Sequence, residues 1–260
     1  MDQIMSQLPN PVDILFDPLS LIILGIYLLL ILWEAIYPAR QLPPIKYWKL
    51  RGLTFFTLFF FVASYLPMIT DPFLAQFQLI DMSHLDVFSG SIVGLLIYEL
   101  GSYLYHITMH KYDLLWRTFH QLHHSAERLD TFGALFHSPL DMIGFTLTGS
   151  LALALLVGIP PQSITVVLLV INFAAFFQHA NIRTPHWIGY IIQRPESHSI
   201  HHGKGIHKYN YSNFPVFDII FGTFKNPKTY QDETGFYLGA SSRILDMLCF
   251  KDVTKPSEKQ

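Results

Sequence analysis

The chain is poor in charge and in cysteine. Only 14% of its 260 residues are Asp, Glu, Lys or Arg, against about 25% in soluble domains. That deficit, beside 51% hydrophobic residues, points to a membrane. The single cysteine, Cys249, excludes an intramolecular disulfide and any metal cage built on thiolates. A net charge of −2 offers no case for nucleic acid. Residues 1–17 hold no Lys or Arg, so the basic start of a cleavable signal peptide is missing. The first apolar segment is therefore expected to stay as an anchor. There is no P-loop, GxGxxG or CxxC motif, no visible haem or flavin motif, and no internal repeat.

Long apolar runs are present instead. A helix needs about 20 such residues to cross the hydrocarbon core. Residues 18–37, 53–69, 87–105, 140–158 and 162–178 qualify. The last two are separated by only Ile159, Pro160 and Pro161, which implies a tight helical hairpin. Lys and Arg concentrate in cytoplasmic loops. With the N-terminus outside and five spans, all 17 basic residues fall on one side, and only His84 of the 13 histidines falls on the other. The expected fold is an all-α, integral membrane helical bundle of about four to five spans with a cytoplasmic His-rich metal-binding cap. Its expected divisions are an N-terminal membrane hairpin (1–85), a metal-binding domain (86–228) and a polar C-terminal tail on the surface (229–260). Ser138 and Pro139 are expected to start the fourth helix, and Pro195 and Glu196 a helix carrying the last histidine cluster.

The histidines fall in three clusters: His106 and His110 in HITMH, His120, His123 and His124 in HQLHH, and His198, His201 and His202 in HSIHH. Positions i, i+3 and i+4 share a helix face, so each cluster can aim its imidazoles at one point. Imidazole is the commonest neutral metal ligand. Eight clustered histidines exceed the needs of one tetrahedral zinc. His179, at the end of the fifth span, brings the set to nine. Two ions with four or five nitrogens each is the economical reading. An all-nitrogen shell differs from the carboxylate-rich di-iron bundles, yet it suits a redox metal able to activate oxygen. Glu99, seven residues before His106 and eleven before His110, lies on their helix face. It is expected to accept an imidazole N–H from behind.

HITMH, HQLHHS and HSIHHG, in this order and around membrane helices, resemble the fatty acid hydroxylase/sterol desaturase superfamily. The similarity runs over residues 34–224. It is most specific in LLWRTFHQLHHSAERLDT, with QHANI, NYSNFPVFDIIFGTF and EAIYPAR also similar. The resemblance implies an O2-dependent, non-haem di-iron oxidoreductase that hydroxylates or desaturates a fatty acyl, sterol or related lipid C–H bond. It implies His106, His110, His120, His123, His124, His179, His198, His201 and His202 as ligands of two iron ions. A separate ferredoxin-like or cytochrome b5-like donor would supply the electrons. The membrane would be the inner membrane in a bacterium or the endoplasmic reticulum in a eukaryote. His137, in FHSPLD, resembles the family's His-Pro-Leu-acid stretch with an extra serine. His207 is expected behind the ligands or among them. His84 and His186 are expected to be structural. Ile107 stands where the family often has Arg or Lys. Alternative activities are carotenoid hydroxylation or ether-lipid cleavage at the same site. A rival of another class is a His-rich membrane metal-binding or metal-transport protein, and a third is a haem protein.

Overall fold

A computed structural model describes residues 8–256. Asp2 and Lys259, which contribute to the charge pattern, lie outside the described residues. Among the described residues, five helices are long and apolar enough to cross a membrane: Pro18–Ile36, Trp48–Phe77, Val87–Lys111, Pro139–Leu156 and Pro161–His179. Each expected apolar run lies largely within one of them. Their outward faces carry Leu21, Ile22, Leu28, Leu29, Leu58, Ile92 and Leu96 exposed, as lipid contact requires.

Local chemistry sets where the spans begin. The Asp17 side chain accepts from Leu19 N with Pro18 in the first turn. Asp86 accepts from Phe88 N and Ser89 N. Ser138 accepts from Asp141 N with Pro139 in the first turn. Carboxylates and hydroxyls there satisfy backbone donors the helix cannot. Proline loses nothing at a position whose N–H would be free anyway.

The second span packs on the fourth, the third on the fifth and fourth, and the first on the fifth. The turn between the fourth and fifth spans pairs Val157–Gly158 in parallel with Ile80–Asp81. That tie closes one end of the bundle. The chain runs away from it in the third and fifth spans and toward it in the fourth, so His106, His110, His137 and His179 all gather at the opposite end. The helix Pro195–His201 caps that end and packs on the fifth span.

The C-terminal segment departs from the surface tail expected for it. Phe236, Ala240, Met247 and Val253 are buried in one cluster with Trp48, Leu122 and Phe136. Gln121 Nε2 donates to Lys251 O, and Val253 N donates to Gln121 Oε1. The polar residues between these anchors mask them in the composition. Fixed so, the segment covers the outer side of the helix that carries His123 and His124.

Candidate metal centre

His106 and His110 lie one turn apart at the end of the third span. The chain then turns back through a short helix, Asp113–Leu115, and a π turn, Trp116–His120. There Gln121 N donates to Trp116 O, which inserts one residue more than an α turn holds. The helix Gln121–His124 follows directly, so the π turn sets the direction of the second cluster.

All nine histidines come together, in two groups. His106, His110, His120, His124 and His201 form one, and His123, His179, His198 and His202 form the other. Within each group the ligand atoms lie within 4.8 Å of one another. Neither HxxHH triplet aims at one point, as the shared-face argument had it. Each is divided: His120 and His124 join the first group while His123 joins the second, and His198 and His202 join the second while His201 joins the first. The two short helices thus each contribute imidazoles to both groups. The rings of His124 and His202 stack at 4.2 Å between groups, as do those of His198 and His201 at 5.0 Å.

An outer layer holds the five-imidazole group from behind. His110 Nδ1 meets His207 O at 2.9 Å, His201 Nδ1 meets Tyr209 O at 2.7 Å, and His106 Nδ1 meets Tyr211 O at 2.7 Å. Alternate carbonyls of one loop therefore hold three imidazoles of this group. His207, Tyr209 and Asn210 adopt positive φ there, a region that residues other than glycine enter rarely. The loop is fixed by Asn210, whose amide donates to Ser197 O and Lys225 O. Asp218 accepts from Tyr211 N and Ser212 N. His120 Nδ1 meets Asp141 Oδ2 at 2.7 Å. Asp141 also takes His137 Nδ1 at 2.7 Å and the Tyr105 hydroxyl at 3.2 Å. A Cβ at Gly144 would lie 1.9 Å from that hydroxyl, so the glycine is what admits it.

These bonds test whether a metal fits. A carbonyl or carboxylate can only accept, so His106, His110, His120 and His201 carry their protons on Nδ1. Their Nε2 atoms are then bare lone pairs. Yet His106 Nε2 and His120 Nε2 face each other at 2.9 Å, and His110, His124 and His201 Nε2 have no partner. Buried lone pairs that converge without a proton between them are the donor set of a cation. In the second group, His179 Nδ1 is held by Ala175 O, and its Nε2 faces His123 Nε2 and His198 Nε2, each at 3.1 Å. The residues present fit two nitrogen-ligated metal ions.

Burial favours the neutral imidazoles. Desolvation first, then neighbouring imidazoles, holds His123, His124, His198, His201 and His202 well below the ordinary histidine range. Burial also pushes His207 down to about 4. A depressed folded-state pKa contributes stability that is complete above the unfolded value of about 6.5 and is lost as pH falls below it. The metal-free protein should therefore melt at a lower temperature at about pH 5.5 than at about pH 7.5. An equal or higher melting temperature at the lower pH would contradict neutral imidazoles.

The remaining expected residues resolve as follows. His137 belongs to neither group. Its ring stacks on His123 at 3.9 Å, and with His120 and Asp141 it forms a separate trio. His207 sits outside the five, with Nδ1 3.1 Å from His124 Nδ1. His186 bonds Asn226 O, and His84 is exposed at the other end. Glu99 requires a correction, because it reaches no imidazole. Its carboxylate accepts from Asn213 N, Asn213 Nδ2 and Phe214 N. A shared face with His106 does not reveal what packs against that face, and here the loop does. Glu99 acts one step further out, by anchoring the loop whose Tyr211 carbonyl holds His106. Glu99→Ala should weaken metal retention by the five-imidazole group about 10-fold, read by chelator competition. Unchanged retention would leave the anchor without effect on the site. Sequence reasoning missed Asp141 as the acceptor behind His120. The signal was its position four residues after His137 in FHSPLD.

The model of the fatty acid hydroxylase family matches residues 91–223, a stretch holding every residue of both groups. Over 141 residues the chain is 33% identical to ornithine lipid hydroxylase OlsE of Rhizobium tropici, covering 52% of this chain and 42% of that one. Over 137 residues it is 23% identical to sphinganine C4-monooxygenase 1 of Arabidopsis thaliana, covering 51% of this chain and 53% of that one. The chain spans about half the length of these curated relatives. No solved structure matches.

Proposed function

The chain belongs to the fatty acid hydroxylase family, and from that premise we propose that it is a membrane-bound, non-haem di-iron oxygenase acting on a lipid C–H bond. One observation carries the reading: two adjacent, buried, carboxylate-free imidazole groups at one end of five apolar helices. A transporter needs ionisable groups along a path through the membrane. Gathering them at one end favours chemistry on a lipid that stays in the bilayer.

His106, His110, His120, His124 and His201 would hold one iron, and His123, His179, His198 and His202 the other. Bound there, redox metals supply the activation of O2 that acid and base side chains cannot. Asp141 and the carbonyls of residues 207, 209 and 211 keep the Nε2 lone pairs turned inward. Burial of the imidazoles keeps bulk water from the reacting centre. In the overall reaction a lipid C–H becomes C–OH with one oxygen atom of O2. The other atom leaves as water with two protons and two electrons from a separate donor. Hydroxylation is favoured over desaturation because the two named relatives are a hydroxylase and a monooxygenase. The chemistry is assigned to residues 86–228.

The test is a reconstituted, iron-loaded protein supplied with reductant, membrane lipids and isotopically labelled dioxygen. A lipid that gains one labelled oxygen supports hydroxylation. A lipid that loses two hydrogens without label means desaturation, and no lipid product with oxygen and reductant present contradicts the reading.

The site is proposed to face the cytoplasm, because every Lys and Arg among the described residues falls at the ends that share the His side. Reporter fusions at residues 75 and 115 should report opposite sides, with 115 inside. The same side for both would overturn the topology.

A further inference from the structure

The reaction proposed above consumes two electrons, and the sequence shows no haem, flavin or cysteine cluster to deliver them. On that reading a separate donor supplies them, and a depression beside one imidazole group is placed to receive it. A depression of about 280 Å³ opens beside the five-imidazole group and is lined by His110, Lys111, Asp113, Trp116 and His207. Two of those five, His110 and His207, are a member of that group and a neighbour of His124. Trp116 is half-buried, with its ring centroid 5.0 Å from His110 and 5.0 Å from His124. One aromatic ring therefore spans the distance from the surface to two imidazoles of one group. A second depression lies away from both groups on the second span, lined by Leu53, Thr54, Thr57, Leu58 and Phe61.

The charge around this opening is positive and partly unpaired. Asp113 is used by Arg117, and Glu233 is used by Lys204. Lys111 lines the depression, and Lys208 follows His207 directly. Both are exposed and make no ion pair among the described residues. Tyr112 and Leu114 add exposed apolar surface next to Lys111. An apolar centre with a basic rim suits a small, transient interface with an acidic protein.

We propose that the His110–Trp116–His207 depression, rimmed by Lys111 and Lys208, is the docking surface for an acidic one-electron carrier protein. Each docked carrier gives up one electron and leaves oxidised, and two such visits supply the pair consumed in one turnover. Trp116 is a positioning and contact residue that brings the carrier's redox group close to His110 and His124. The electron demand rests on the oxygenase reading, whereas the docking itself does not.

The probe is a plant-type [2Fe–2S] ferredoxin, an acidic carrier, titrated against the detergent-solubilised full chain with and without metal. Binding should occur in both forms and weaken as salt rises, as opposite charges are screened. Lys111→Glu with Lys208→Glu should weaken it about 10-fold or more at low salt. Lys46→Glu with Lys49→Glu, exposed charges elsewhere at the same end, should leave it unchanged. In loaded protein, the Lys111/Lys208 variant should be reduced slowly by ferredoxin and at the wild-type rate by reduced methyl viologen. Trp116→Leu should retain its metal and slow ferredoxin reduction alone. Wild-type ferredoxin binding by the Lys111/Lys208 variant overturns the surface, as does an equal fall with both reductants. Loss of binding to anionic vesicles without loss of ferredoxin binding also overturns it, since the lysines would then serve lipid. Absence of any lipid product with either reductant, while binding still follows Lys111 and Lys208, counts against the oxygenase and for the surface.

Discussion

Replacing His120 and His124 together with Ala should remove one metal ion per chain and leave the other in place. Replacing His198 and His202 together should do the same to the second ion. Each pair belongs to one group, and neither takes a ligand from the other. Two lost ligands leave the first group three imidazoles and the second group two, below the four that a closed site uses. Metal content should fall from about two ions to about one in each double variant, with turnover abolished in both. The discriminating variant is His123→Ala. It lies between His120 and His124 in sequence but belongs to the other group. It should weaken the ion that survives His120→Ala/His124→Ala, so that the triple variant binds neither. If each HxxHH triplet served one ion, His123→Ala would add nothing to the His120/His124 loss. Metal analysis of the purified variants by mass spectrometry separates the two cases.

Asp141→Ala should weaken metal binding or turnover by about 10- to 100-fold, the range found when the acceptor behind a metal-bound imidazole is removed. The carboxylate is fully buried and takes three donors, from His120, His137 and Tyr105. Its loss frees the His120 ring to change tautomer and leaves the Nδ1–H groups of His120 and His137 without an acceptor in a dry site. Asp141→Asn keeps the volume but puts an N–H₂ in place of either Oδ2, which takes both imidazoles, or Oδ1, which takes Tyr105. It should restore only part of the loss. The effect should fall first on the five-imidazole group, because His120 belongs to it, while His137 reaches the other only by stacking on His123. Competition with a chelator reads this directly. Equal weakening of both ions, or of neither, would remove Asp141 from its assigned place.

Much of this arrangement is legible in the chain. The spans follow from apolar run length, and the helix starts at Pro18, Pro139 and Pro195 follow from proline and from capping side chains. The nine histidines were identifiable because HxxHH twice, HxxxH once and a further His at a span end all fall at one end of the bundle. What could not be read was their division. Helical spacing says that His120, His123 and His124 share a face. It does not say that the face is wide enough to address two points, nor that a π turn just before it sets the angle. Glu99 was misplaced for a related reason. Its spacing from His106 is visible, whereas the Asn213–Phe214 backbone that takes its carboxylate comes from more than a hundred residues away. The loop that presents carbonyls 207, 209 and 211 has no periodicity to detect. Its trace in sequence is a pair of anchors, Asn210 and Asp218, within the stretch NYSNFPVFDIIFGTF. In the C-terminal segment, single apolar anchors such as Phe236, Met247 and Val253 stand among polar neighbours, so composition hides their burial.

The most direct measurement is the iron content of wild-type protein, purified in detergent, loaded anaerobically with ferrous iron and freed of excess metal. Two imidazole groups predict close to two iron ions per chain. One ion, or none, in protein that remains folded would contradict a di-iron centre.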